Sequence, residues 1–206
     1  MTKVAVLASG SGTNLQALID ACAKQQLSAH IVAVITDNQN AGAIERAERA
    51  GIAVHLVARA PGEARGDYDA RLADVVLTTN ADLVVLAGFM RLLSMKFLSH
   101  FPMRVINLHP ALPGEFPGVN AIERAFSERD TTGRTKSGVM VHFVPDEGVD
   151  DGPVIATRDV PIIATDTLES FTQRMHEAEH ELVVEALQRV IESLSSSSLQ
   201  PEELTP

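Results

Sequence analysis

The sequence has a single cysteine, Cys22, so no intramolecular disulfide can form and a reducing compartment suits the chain. Positive charge is scarce: 17 Lys and Arg stand against 27 Asp and Glu, a net charge of −10. That balance argues against nucleic acid as a partner, because readers of a phosphate backbone present a basic face. A small anion is a different matter, since backbone dipoles alone can hold one. No apolar stretch follows a basic N-terminal segment; "MTKVAVLASGSGTN" reads as a short strand broken by glycines. Neither a signal peptide nor a membrane span is expected, and the cytoplasm is the expected compartment. Signatures of a protein nucleophile are missing too. There is no Gly-x-Ser-x-Gly elbow, and Cys22 falls on the apolar stripe of the first predicted helix, a core position. The attacking group is therefore expected to belong to a substrate, which points to group transfer between two small molecules, one of them phosphorylated.

What is present is apolar and regularly spaced. Of 206 residues, 45% are hydrophobic, enough for one substantial core. Short β-branched runs at Lys3–Ala8, Ile31–Thr36, Ala53–Val57, Leu83–Ala87 and Arg104–Leu108 alternate with stretches of helical period at 14–25, 41–50, 66–80 and 94–99. Such alternation predicts an α/β fold, Rossmann-like, with a mostly parallel sheet covered by helices on both faces. The second half changes character. After a helix near 121–128, two runs at Gly138–Val144 and Val154–Val160 flank the loop "PDEGVDDG", and an antiparallel pair added to the sheet is expected. A long helix follows at 167–194, with Leu168, Phe171, Met175, Leu182, Leu187, Val190 and Ile191 as its core stripe. Residues 1–194 are expected to form one domain, with a phosphate-binding half at 1–100 and a catalytic half at 101–194, and the polar segment 195–206 a disordered tail.

"SGSGTNL" joins the first strand to the first helix, where backbone N–H groups can surround a phosphate. Gly10 and Gly12 fit the dinucleotide fingerprint, but Leu15 stands at its third glycine. With no Lys-Ser/Thr pair, it is not a P-loop either, and one terminal phosphate suits it better than a pyrophosphate. "HEAEH", residues 176–180, formally matches a zinc motif. The α/β context and the missing continuation argue against metal; no metal is expected, and Glu179 is read as facing a cleft.

The most informative stretch is "RVINLHPALPGEFPG", 104–118. Asn107 and His109 are two apart at a strand's carboxyl end, so they share one side of an extended chain where α/β sheets bind ligands. Pro110 restricts the backbone of His109. A carboxamide can donate to an oxygen gaining charge, and an imidazole can relay a proton. A carboxylate is then wanted beside the imidazole, to favour its charged form. Asp146, Glu147, Asp150 and Asp151 all qualify, and spacing does not choose among them.

Taken in order, "VAVLASGSGTNLQALID", "DLVVLAGFMRLLS", "VINLHPALPGEFPG", "GVMVHFV", the Asp-x-Gly of "VDDGPVI" and "EAEHELV" resemble the folate-dependent formyltransferases, in particular the phosphoribosylglycinamide formyltransferases. The resemblance spans the chain to about residue 193. It implies transfer of a formyl group from 10-formyltetrahydrofolate, a co-substrate, to the amine of N1-(5-phospho-D-ribosyl)glycinamide in de novo purine biosynthesis, by a monomer or homodimer. It implies Asn107, His109 and Asp150 as the catalytic set, which selects Asp150 from the acidic loop. Gly12, Thr13 and Asn14 match the phosphate loop, and Glu179 a glutamate that reaches the ribonucleotide. Met90, Arg91, Leu92 and Leu93, with Asn107, match the folate pocket, and Arg65 an arginine near the folate. The chain departs from the family at Pro113 and Gly114, where Leu and Pro are usual, and at Asn120 and Ile122, where histidines are frequent. Alternatives are a 10-formyltetrahydrofolate hydrolase and a nucleotide-binding Rossmann module without catalysis. A methionyl-tRNA formyltransferase is disfavoured by the acidic charge.

Overall fold

The computed structural model describes residues 1–197. Elements alternate as β1 (Thr2–Leu7), α1 (Thr13–Ala23), β2 (Ala29–Thr36), α2 (Gly42–Arg49), β3 (Val54–Leu56), α3 (Arg65–Thr78), β4 (Leu83–Leu86), α4 (Met95–Leu98) and β5 (Val105–His109). There follow α5 (Ala121–Thr132), β6 (Lys136–Phe143), β7 (Val154–Pro161) and α6 (Leu168–Ser197). One seven-stranded sheet runs in the order β3-β2-β1-β4-β5-β6-β7. The first five strands are parallel, and β6 and β7 are antiparallel additions, as the change of pattern in the second half predicts.

The side-chain period of two divides the core into two layers. Val4, Val6, Val85, Ile106 and Val141 face one side, where α1, α2, α5 and α6 pack. Ala5, Leu7, Val84, Leu86 and Val105 face the other, covered by α3 and α4. Strands buried on both faces read as continuous apolar runs, as Leu83–Leu86 does. Strand order reverses between β1 and β4, and the crevice beyond their carboxyl ends is the expected ligand position in such sheets.

Three sequence expectations are revised. β5 runs through His109, which pairs with Met140, so the imidazole stands on the sheet itself and not after it. Leu168, assigned to the α6 core stripe, is 40% exposed, because it begins the helix before contact with the sheet is made. The helix also continues past 194: Ser195 Oγ donates to the Ile191 carbonyl and Ser196 Oγ to that of Glu192, each at 2.9 Å. Serine hydroxyls that bond back to the preceding turn compete mildly with the helix, yet the polar run stays helical to Ser197. The remainder of the expected tail, 198–206, lies outside the described residues. Among the described residues no helix is long and apolar enough to cross a membrane.

Candidate functional site

Three of the parallel strands, β1, β4 and β5, deliver their carboxyl ends to one edge of the sheet, and the site is built there. After β1 the chain turns through Gly10–Gly12 into α1. Gly12 adopts φ +73°, and a Cβ there would lie 2.7 Å from Ala43 Cα, so only glycine fits between the loop and α2. The N-terminus of α1 has no side-chain cap and no acidic residue in its first turn. Its leading N–H groups, from Thr13 onward, thus keep their partial positive charge for an anion. Arg46 of α2 steadies the loop, its Nε donating to the Ser11 carbonyl (2.9 Å) and Nη1 to Gln16 Oε1 (3.2 Å).

Glu179 of α6 reaches this loop. The residue is 7% exposed, and burial pushes its carboxyl up to about 7, against a hydrogen bond from the Asn14 side chain that favours the charged form. Asn14 Oδ1 is itself buried and has no hydrogen-bond partner among the described residues. The imidazoles flanking Glu179 in HEAEH do not converge with it as metal ligands: His176 Nε2 lies 3.9 Å from Glu179 Oε2, and no group of three or more His, Cys, Asp or Glu among the described residues is placed to hold a metal ion.

At the end of β5 the structure brings Asn107, His109 and Asp150 together. Asn107 Nδ2 donates to Asp150 Oδ1 (3.0 Å), His109 Nδ1 lies 3.3 Å from Asp150 Oδ2, and the Gly118 N–H donates to the same oxygen (2.8 Å). A fourth side chain joins them. His142 of β6 lies directly across from Asn107 in the antiparallel register, and its Nε2 is 3.2 Å from Asn107 Nδ2. His142 Nδ1 lies 2.8 Å from the Phe143 carbonyl, which can only accept; in the neutral ring Nδ1 therefore carries the hydrogen and Nε2 accepts from Asn107. Both hydrogens of the Asn107 amide are thus engaged. Sequence reasoning missed His142, although a signal existed: one imidazole in the apolar run Val139–Phe143. Gly118 carried no signal, because it acts through its backbone.

At His109 the pull of Asp150 acts in the expected direction, and burial acts against it. Burial lowers the His109 imidazole below its ordinary value, and the nearby Asp150 charge and the Glu115 and Phe116 carbonyls oppose this without overcoming it. The imidazole is neutral near pH 7 and so poised to accept a proton. Burial also works against the Asp150 carboxylate, but His142, which when protonated donates from an Nε2 3.6 Å from Oδ1, the Gly118 N–H and the His109 charge outweigh it, and the group stays below the usual carboxylate range.

Asp150 occupies a left-handed backbone conformation, φ +55°. That region costs most L-residues about 1–2 kcal/mol but is tolerated by Asp and Asn. Two residues on, a Cβ at Gly152 would stand 1.9 Å from the Phe143 carbonyl oxygen, which is the physical reason for the Asp-x-Gly spacing. Gly152→Ala is expected to push this loop off β6, lowering stability by about 1–3 kcal/mol and kcat with it. Urea denaturation and steady-state rates check this; a variant matching the parent in both would show that the close approach is dispensable.

Beside the trio lies a cavity of about 630 Å³, walled by Met90, Leu93, Ile122, Val144 and Val149, with Asn107, His109 and Asp150 on its polar side. The volume is in the range of small-molecule sites, and the mixture of apolar wall and few convergent polar groups suits a flat heteroaromatic ligand. All of Met90–Leu93 line it, with Met90 and Leu92 forming an exposed apolar rim. Ser9 Oγ accepts the Met90 N–H (3.0 Å), which ties this wall to the end of β1 beside the glycine loop. Arg91 is engaged elsewhere, its Nε donating to Asp37 Oδ2 at 2.6 Å. Arg65 stands at the rim and not on the wall, donating to the Leu92 carbonyl (3.1 Å) and pairing with Glu147 (3.2 Å).

An amide, an imidazole and a carboxylate converging beside a ligand-sized cavity, with β4 between their strand and the one that leads into the uncapped N-terminus of α1, make this an α/β group-transfer enzyme. Residues 2–187 match the family model described as Formyl transferase. The chain belongs to the formyl transferase family. It is 41% identical to the phosphoribosylglycinamide formyltransferase of Dictyostelium discoideum, over 89% of this chain and 95% of that one. Against the protein of that name in Escherichia coli K12 it is 40% identical, over 86% of this chain and 81% of the other. Its fold superposes on the crystal structure of glycinamide ribonucleotide transformylase 1 from Symbiobacterium toebii with a TM-score of 0.87 at 38% identity, covering 94% of this chain and 89% of that one.

Proposed function

We propose that the protein transfers the formyl group of 10-formyltetrahydrofolate to the amine of N1-(5-phospho-D-ribosyl)glycinamide, in the cytoplasm and in de novo purine biosynthesis, without metal or nucleic acid. The observation that carries the reading is Asp150 joining Asn107 and His109 beside the 630 Å³ cavity. The names of the relatives support the two substrates.

The N-terminus of α1 holds the substrate phosphate through Thr13 and Asn14, and Glu179 accepts from the ribose. The cavity takes the pterin, and the folate supplies the formyl carbon. As the substrate amine attacks that carbon, Asn107 donates to the oxygen that gains charge, exchanging its 3.2 Å contact with His142 for the new one. Donors of this kind are worth about 10²–10³ in rate. His109, neutral at the outset, accepts the amine proton and passes it to the departing folate nitrogen, while Asp150 stabilises the imidazolium formed between the two transfers.

Purified protein given both substrates is expected to release deformylated folate, followed by its absorbance. Turnover without the ribonucleotide would mark a hydrolase, and nucleotide binding with no turnover a module without catalysis.

A further inference from the structure

Carboxylates crowd the cavity. Glu123, Asp146, Glu147 and Asp150 line it, and among the described lining residues Arg91 is the single Lys or Arg. Arg91 is neutralised by Asp37. A donor whose far end carries carboxylates therefore meets a repulsive pocket, and a cation open to that end is Arg65 at the rim, which pairs with the cavity-lining Glu147 and has a side chain 43% exposed. Arg65 already has a carboxylate. Glu147 Oε2 lies 3.2 Å from Arg65 Nη2, and Glu147 Oε1 accepts the Met95 N–H at 2.9 Å. Glu147 thus stretches from the loop after β6 across to the start of α4, bridging the two sides of the cavity mouth. The segment it grips is itself held firm, because the buried Asp69 accepts the Ser94 N–H at 2.7 Å and Arg65 holds the Leu92 carbonyl.

We propose that Glu147 is an internal competitor for the donor's tail carboxylate at Arg65, and so sets how strongly the pocket prefers a carboxylate-ended donor to a neutral-ended one; this rests on the folate reading above. When the tail arrives, its carboxylate takes the guanidinium and Glu147 gives it up. Removing the Glu147 charge leaves Arg65 unpaired on that side and favours charged tails alone. Glu147→Gln is the sharper variant, since its amide oxygen still accepts the Met95 N–H, and Glu147→Ala removes both contacts.

The test is calorimetric titration of the full chain with 5,8-dideazafolate and with its counterpart in which methylamine replaces the glutamate. Both variants are expected to bind the glutamate-bearing ligand about two- to fivefold tighter than the parent does, as suits an exposed ion pair. The neutral ligand should bind unchanged, and the gain should shrink at high salt. Equal tightening of both ligands would overturn the inference in favour of simple loop opening. Weaker binding of the glutamate-bearing ligand would overturn it by making Glu147 part of the ligand's own site. Failure of the parent to bind either ligand would instead remove the folate reading, and this inference with it.

Discussion

Asp150→Asn is expected to lower kcat by about 10²–10⁴ while the ribonucleotide still binds. The carboxylate only accepts, and its two oxygens serve Asn107, His109 and the Gly118 N–H together. An amide offers one acceptor and one donor, so at least one of these contacts becomes an N–H facing an N–H. The backbone does not confound the result, because asparagine tolerates the left-handed conformation that Asp150 adopts. Loss of the charge also removes the pull that opposes burial at His109, so the imidazole should fall further. The acid limb of the kcat/KM profile, which reports deprotonation of that base in the free enzyme, should therefore move to lower pH. Asp146, whose carboxylate is occupied with the Gly148 N–H of its own turn, serves as the contrast: Asp146→Asn should cost less than about tenfold. The opposite ranking of the two variants would place the working carboxylate elsewhere in the acidic loop.

Glu179→Gln is expected to stabilise the fold and damage the substrate site at once. In the unfolded chain this carboxyl ionises near its ordinary 4.5, whereas burial in the folded chain holds it up to about 7. Between those values the folded state keeps a proton that the unfolded state has lost, so stability falls as pH rises from about 4.5 to 7 and stays reduced above that. A shift of this size corresponds to about 3 kcal/mol. Glutamine carries no such charge, and its amide can donate to the Asn14 Oδ1 that has no partner among the described residues. Denaturant titrations should show the variant equal to the parent near pH 4 and more stable by about 3 kcal/mol at pH 8. The KM for the ribonucleotide should meanwhile rise about ten- to a hundredfold, the worth of a hydrogen bond to a charged acceptor. A stability difference independent of pH would show that packing, not ionisation, is what the glutamate costs.

The two variants also show where sequence reasoning reached and where it stopped. Asn107 and His109 were legible because both lie on one short element: an extended chain puts residues two apart on one side, and an apolar parallel strand must end at the ligand-binding edge. Asp150 could not be singled out by spacing among four acidic residues, because the choice depends on a loop folding back over β5 from 41 positions beyond His109. His142 was overlooked for a related reason, since its role appears only once β6 lies antiparallel with that position opposite Asn107. The pull of Asp150 on the imidazole follows the sequence reading, but the net direction of the His109 shift was not legible there. The partner charge is visible in a sequence, but the burial that outweighs it belongs to the assembled core.

By itself, then, the order of residues determined the alternation of strands and helices, the single sheet with its antiparallel addition, the glycine turn at the head of α1 and the strand that carries the amide and imidazole. These follow from period, turn chemistry and burial, all of which act over a few neighbouring residues. Tertiary structure alone decided which carboxylate meets the imidazole, how far Glu179 is removed from water, and that Glu147 crosses the cavity mouth to Arg65. Those outcomes depend on distances between segments remote along the chain and on the desolvation that packing imposes, and neither quantity is local.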